Sequence, residues 1–110
     1  TSGDSVASKA DVAGIPIWGG RTNNTIKVTQ SFDNLIYGGG GRNVFDIAST
    51  LTTGTQTIMG FNGRTGDRIN LNGQSHTTVF VSGGIQLILP SGVIVFLDGL
   101  SAFDELWITG

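Results

Sequence analysis

The sequence predicts an all-β domain, and three observations support this. From residue 15 onward, Ile, Val, Leu and Phe recur in runs of 3–6 residues. Gly, Asn or Pro interrupts these runs every 8–12 residues, which is typical of many short strands. No window after residue 15 shows a sustained helical period. The length of 110 residues indicates one domain with enough chain to form its own core.

Composition excludes several classes of function. Charged residues make up only 13 % of the chain and the net charge is −2, which argues against binding to nucleic acid. No stretch reaches about 18 consecutive apolar residues, so we expect no membrane span. No basic start followed by an apolar run is visible, so we expect no signal peptide. The chain has no cysteine, which rules out disulfides and thiolate zinc sites.

The first half contains a weak repeat. Residues 1–14 are small and polar and are expected to be a lead-in, either a short helix over 5–12 or a frayed tail. Residues 19–27 (GGRTNNTIK) and 38–46 (GGGGRNVFD) both begin with Gly-Gly and carry a large apolar residue, Ile26 or Phe45, at position eight. The two Gly-Gly pairs are 19 residues apart, which is two nine-residue units plus one residue. This spacing predicts a coil in which strands and turns alternate and position eight points into the core.

The second half predicts strands joined by tight turns. Pro90-Ser91-Gly92 between two apolar runs predicts a hairpin over 85–97. Further turns are expected at Asn72-Gly73 and Asp98-Gly99, and Gly83-Gly84 is expected to break the strand that precedes it. The expected strands are 67–71, 77–82, 85–89, 93–97 and 106–108.

Residues 38–46 match the nonapeptide GGxGxDxUx at every fixed position except Asn43, and this nonapeptide is typical of the haemolysin-type (RTX) β-roll. The segments MGFNGRTGDRINLNG (59–73) and 83–110 also resemble parts that follow the repeats in bacterial proteins exported by type I secretion. The resemblance implies a short right-handed parallel β-roll, a β-solenoid, over 15–60. Antiparallel strands and a hairpin over 67–110 would close it, so that 15–110 forms one domain.

The resemblance also implies a function. The chain would be a non-catalytic C-terminal module of a secreted, extracellular bacterial protein. It would assist export by the type I secretion machinery, extracellular folding and stability.

In the family, Asp at position six holds calcium together with glycine carbonyls. This chain has Asn24 and Asn43 at those positions. One interpretation is a weak Ca²⁺ site, for which the candidate ligands are Asn24, Asp33, Asn43 and Asp46 with the backbone of Gly39 and Gly41. The other interpretation is a roll without metal, in which the Asn side chains form a hydrogen-bonded ladder.

A different class of function is a carbohydrate-binding or adhesive module. If the coil stacks, Arg21 and Arg42 lie close on one edge and could bind an acidic polysaccharide, although solubilising surface positions explain them too. Trp18 and Trp107 could stack on sugars or cap the open ends of the coil. A solenoid enzyme would need carboxylates clustered on one strand face, and the sequence shows none.

The remaining candidates have simpler explanations. His76 has no partner at ligand spacing and is expected to be a surface residue. Asp104 and Glu105 would point to opposite faces of an extended strand and so would not share a site. Gly38–Gly41 is followed by strand-like residues rather than by the Lys and helix of a phosphate-binding loop.

Overall fold

The computed structural model describes residues 5–7, 16–18, 25–28, 33–37 and 41–109. The described residues form strands and two short 3-10 helices, Gly63–Thr65 and Glu105–Trp107, so the fold is all-β. The strands are β1 (Ser5–Ala7), β2 (Pro16–Trp18), β3 (Thr25–Val28), β4 (Asn34–Tyr37), β5 (Val44–Ile47), β6 (Thr55–Met59), β7 (Arg68–Asn70), β8 (Thr77–Val81), β9 (Gly84–Ile88), β10 (Ile94–Asp98) and β11 (Ile108–Thr109). No helix in this part of the chain has the length and apolar character needed to cross a bilayer.

The strands form two sheets. The first sheet has five strands in the order β1-β3-β5-β7-β11, and the second has six in the order β2-β4-β6-β10-β9-β8. From β1 to β7, consecutive strands therefore belong alternately to the two sheets, and each pairs in parallel with the strand two places along the chain. Among the strands that the structure describes, only β8, β9 and β10 pair antiparallel, and β10 also pairs in parallel with β6.

The core lies between the two sheets. Alternate residues of β5 and β6 are buried, as expected for strands with one face on a core. Ile26 and Phe45, predicted to point inward at position eight of the repeat, are both fully buried. The fully buried side chains that share the core include Ile36, Ile47, Ile58, Ile69, Leu71, Ile85, Leu87, Val95 and Leu97.

The turns of the second half are confirmed. Strands β9 and β10 form the predicted antiparallel hairpin, with Ile88 opposite Ile94. Asn72 has a φ of 52° and Gly73 a φ of 82°, which is the left-handed backbone that these residue types tolerate. Gly83 and Gly99 also have positive φ values, of 87° and 77°.

The C-terminal segment differs from the prediction. Leu106 and Trp107 lie in a 3-10 helix, and the last strand is Ile108–Thr109. The reason is Asp104, whose carboxylate accepts a hydrogen bond from the Leu106 N–H at 2.8 Å and caps a helical turn. Strands β7 and β11 pair in parallel, so antiparallel pairing over 67–110 is confined to β8, β9 and β10.

The predicted lead-in also contains a strand. Residues Ser5–Ala7 form β1, which pairs in parallel with β3 and places Ser5 beside Thr25. The first sheet therefore begins before residue 15, where the domain was predicted to start.

Candidate functional site

Three buried polar residues follow one pattern. Asn43, Gln56 and Asp67 are 0 %, 0 % and 4 % exposed. Each stands two positions before a buried core residue, namely Phe45, Ile58 and Ile69 respectively. Because side chains alternate along extended backbone, each polar residue faces the same side as that core residue. The fold therefore buries polar groups at the start of the strands, next to the apolar core.

Asn43 and Asp67 are neighbours across the first sheet. Strands β5 and β7 pair with Val44 beside Arg68, so the residues that precede them are adjacent. The backbone N–H of Asn43 donates to Oδ1 of Asp67 at 2.9 Å, and its side-chain Nδ2 donates to the same oxygen at 3.4 Å. The first bond has ideal length and the second is long, so the backbone bond is the stronger one.

The other oxygen of Asp67 reaches the loop before β7. Its Oδ2 accepts a hydrogen bond from the backbone N–H of Asn62 at 3.0 Å. The backbone N–H of Arg68 donates to the Asn43 carbonyl at 2.8 Å. The buried carboxylate thus joins its own loop to the segment before β5, across 24 residues of sequence between Asn43 and Asp67. We call Asn43, Asn62 and Asp67 the carboxylate node.

The loop that leads to Asp67 is organised by its own polar groups. Oδ1 of Asn62 accepts a hydrogen bond from the Arg64 N–H at 3.1 Å and caps the helix Gly63–Thr65. Nη1 of Arg68 donates to the carbonyls of Gly63 and Asp67, both at 2.8 Å. The Asp67 side chain is therefore held in place from the loop as well as from the sheet.

The structure separates the predicted calcium ligands. Asp33 precedes β4 of the second sheet, and its Oδ1 accepts a hydrogen bond from the Thr55 N–H at 2.8 Å. Asp46 lies on β5 of the first sheet, and its Oδ1 accepts from Nδ2 of Asn72 at 2.6 Å. The described residues contain no group of three or more Asp, Glu, His or Cys side chains placed to hold a metal ion.

Of the other predicted ligands, Gly41 has the positive φ, 77°, expected of the glycine-rich turn. Asn24 and Gly39 lie outside the described residues.

Asp67 was missed as a site residue. The sequence did contain an indication of this residue. Asp67 stands two positions before the core residue Ile69, just as Asn43 stands two positions before Phe45.

The predicted arginine pair can be followed at one member only, because Arg21 lies outside the described residues. Arg42 is exposed, and its aliphatic stem crosses the face of Gly66. A Cβ on Gly66 would lie 2.3 Å from Cγ and Cδ of Arg42. The stem of Arg42 therefore packs against the loop that carries Asp67.

His76 belongs to a polar cluster with Thr78 of β8 and Glu105 of the second 3-10 helix. Its Nε2 lies 2.6 Å from Oε1 of Glu105, and Oγ1 of Thr78 donates to Oε2 of Glu105 at 2.7 Å. The hydrogen bond from Thr78 is the largest cause that lowers the pKa of Glu105, and His76 adds to it. His76 is half-buried rather than fully on the surface, and its partner is 29 residues away in sequence.

Trp107 belongs to a row of four aromatic side chains, between Phe61 and Phe103. Phe61 lies between Phe45 and Trp107, with ring centroids 5.9 Å from each, and Phe103 meets Trp107 edge-on at 5.5 Å. Beside this row is an open cleft of about 320 Å³, lined by Phe61, Asn62, Gly63, Arg64, Gly99, Leu100, Ser101, Ala102 and Trp107. The side chain of Trp18 is not among those described.

Comparison of the chain with protein-family models, with curated proteins and with solved structures found no match.

Proposed function

We propose that this chain is a non-catalytic β-roll module of a secreted bacterial protein, which assists export by a type I system, folding outside the cell and stability. The observation that carries the proposal is the strand order. From β1 to β7 the chain passes alternately between two sheets and pairs in parallel at every second strand. Such an order is what a coil of short strands and tight turns requires, and the repeat at 19–46 has glycine pairs at the positions where such a coil needs turns.

The carboxylate node supports a particular version of this proposal. In a calcium-binding roll, cations hold the carboxylates of successive turns together. Here no cation is needed for this contact, because Asp67 accepts hydrogen bonds from backbone and side-chain N–H groups. Asn43 donates two of these hydrogen bonds. We infer that hydrogen bonds at this position take over the role of the ion. Candidate ligands Asp33 and Asp46 each accept a hydrogen bond from a protein donor, as such a roll requires.

The functional part of the proposal is tested by export. The chain is fused to the C-terminus of a reporter enzyme in a bacterium that carries a type I exporter, and the reporter activity in the medium is measured. The proposal predicts secretion that depends on the exporter and is lost when residues 59–110 are deleted from the fusion. Equal release of the reporter with and without the exporter would contradict it.

A second candidate, binding of an acidic polysaccharide, rests on the cleft beside Trp107. Arg64 lines it, and a guanidinium pairs well with a sugar carboxylate. The test is titration with an alginate-type oligosaccharide while the fluorescence of Trp107 is followed in the Trp18→Phe background. Saturable binding that Arg64→Gln abolishes would support this candidate. No change in the Trp107 fluorescence at millimolar sugar would contradict it.

A further inference from the structure

Strand β8 ends the second sheet with an unprotected edge. It pairs antiparallel with β9 on one side, and no described strand lies on its other side. The two-residue turn at 82–83 makes Val81 and Gly84 the hydrogen-bonded pair nearest the turn. Since such pairs alternate, the backbone N–H and C=O groups of Thr78 and Phe80 point away from β9. The edge therefore offers two residues with free donors and acceptors.

Proteins commonly protect such edges with charges, proline, bulges or short strands. Strand β8, with the sequence TTVFV, has five residues, no charge and no proline. Its regular register with β9 shows no bulge. The corresponding end of the first sheet is protected by comparison, because β11 has only two residues. Exposed strand edges of this kind are templates for pairing with another strand.

Strand β8 also carries an exposed apolar side chain, Phe80. Phe80 lies opposite Ile85, which is fully buried, so both side chains point to the core-facing side of the sheet. Yet Phe80 is 61 % exposed, whereas its neighbour Ile85 on β9 is fully buried. Glu105 covers Thr78 on this side but leaves the outer edge of the strand open. An apolar core position is thus left uncovered at the open edge.

We propose that β8 pairs with β8 of a second copy of this chain, in antiparallel orientation about a two-fold axis at Val79. This register places Thr78 of one copy opposite Phe80 of the other, so that the outward backbone groups of both residues are satisfied reciprocally. Val79 then faces Val79 of the second copy, and Thr77 faces Val81. The second sheet of one copy then continues into the second sheet of the other, which gives one continuous sheet across the dimer.

A second copy suits this edge better than a charged peptide does. The strand carries no charge that could select such a peptide, and none that would repel its own copy. Reciprocal pairing places the exposed Phe80 of each copy opposite Thr78 of the other, one residue from the two-fold axis, where the second copy covers part of it. The same edge therefore supplies both halves of the interface.

The oligomeric state tests this proposal directly. Light scattering after gel filtration, over a concentration series from micromolar to millimolar, should show a dimer that dissociates on dilution. Phe80→Pro removes an outward N–H that β9 does not use, and Phe80→Lys places a charge at the joint. Both variants should be monomeric with a thermal melt close to that of the parent. Leu106→Lys is the matched control, since Leu106 is 81 % exposed but lies off the strand, and it should still dimerise.

A monomer at all concentrations would overturn the proposal, and so would a dimer that survives both Phe80 changes. Assemblies that keep growing with concentration would show open-ended pairing and contradict the two-fold register.

The register of the two strands can be tested separately with single introduced cysteines, because the chain has no cysteine of its own. Val79→Cys should form an intermolecular disulfide under mild oxidation, since Val79 faces itself across the axis. Thr77→Cys, two residues away on the same face, should form markedly less. Equal cross-linking of the two variants would contradict pairing about Val79.

Discussion

The carboxylate of Asp67 accepts a hydrogen bond from the backbone N–H of Asn43 at 2.9 Å, across two neighbouring strands of the first sheet. Asp67 is 4 % exposed and Asn43 is fully buried. A buried carboxylate is costly unless hydrogen bonds compensate for the water it loses, and three N–H groups do so here. The bond therefore links the segment just before β5 to the loop at 62–67.

Replacing Asp67 by Asn should destabilise the protein. One of the two acceptor oxygens becomes an NH₂ group that faces an N–H donor, and a buried donor left unsatisfied costs about 1–3 kcal/mol. The free energy of unfolding in urea should fall by about that amount. Asp98→Asn is the matched control, because Asp98 is only half-buried at the end of β10, and its effect should stay within about 0.5 kcal/mol. Equal losses in the free energy of unfolding for the two variants would contradict the stabilising role of the carboxylate node.

Asn43→Asp should create a response to calcium. Two carboxylates would then adjoin at a buried position, and their repulsion should lower the melting temperature in chelator. A divalent cation relieves this repulsion, so millimolar calcium should raise the melting temperature of this variant more than that of the parent. Asn43→Ala is the control, since it loses the amide without gaining a carboxylate. A calcium response equal to that of Asn43→Ala would contradict the expectation.

The sequence predicted the strands of the second half and their turns because local signals determine them. Alternating apolar residues and the left-handed turn at Asn72-Gly73 need no knowledge of distant contacts. The repeat identified Phe45 as core and Asn43 as a special position. It could not identify Asp67 as the partner of Asn43, because the node joins residues 24 apart through sheet pairing. The 3-10 helix at Glu105–Trp107 was missed because a single cap, Asp104, overrides the strand pattern of Leu106–Ile108.

Acid should weaken the attachment of the C-terminal segment. The folded-state pKa of Glu105 lies below its ordinary value, chiefly because Thr78 donates a hydrogen bond to it. A carboxyl with a lowered pKa stabilises the fold above its unfolded-state pKa, and this contribution is lost as the pH falls through the folded-state pKa. Thr78→Val should raise the pKa of Glu105, measured by carbon NMR of its carboxyl, whereas Thr77→Val should not. Equal pKa values in the parent and in Thr78→Val would contradict this assignment.

Gly63 and Trp107 should be energetically coupled. A Cβ on Gly63 would lie 2.1 Å from Cδ2 of Trp107, so Gly63→Ala must displace the ring. Overpacking of this kind costs about 1–3 kcal/mol. In a Trp107→Leu background the same change should cost much less, and a double-mutant cycle by urea unfolding measures the difference. Strict additivity of the two changes would show that the ring does not pack on Gly63.

We propose that hydrogen bonds, rather than calcium, hold the turns of the proposed β-roll together. The most direct measurement is a thermal melt of the unaltered chain, followed by circular dichroism, in millimolar calcium and in excess chelator. We expect a folded β-rich chain in both conditions, with melting temperatures that agree within about 2 °C, since an ion that does not bind the folded state cannot stabilise it. A melting temperature raised by more than a few degrees in calcium, or a chain unfolded in chelator, would contradict the claim.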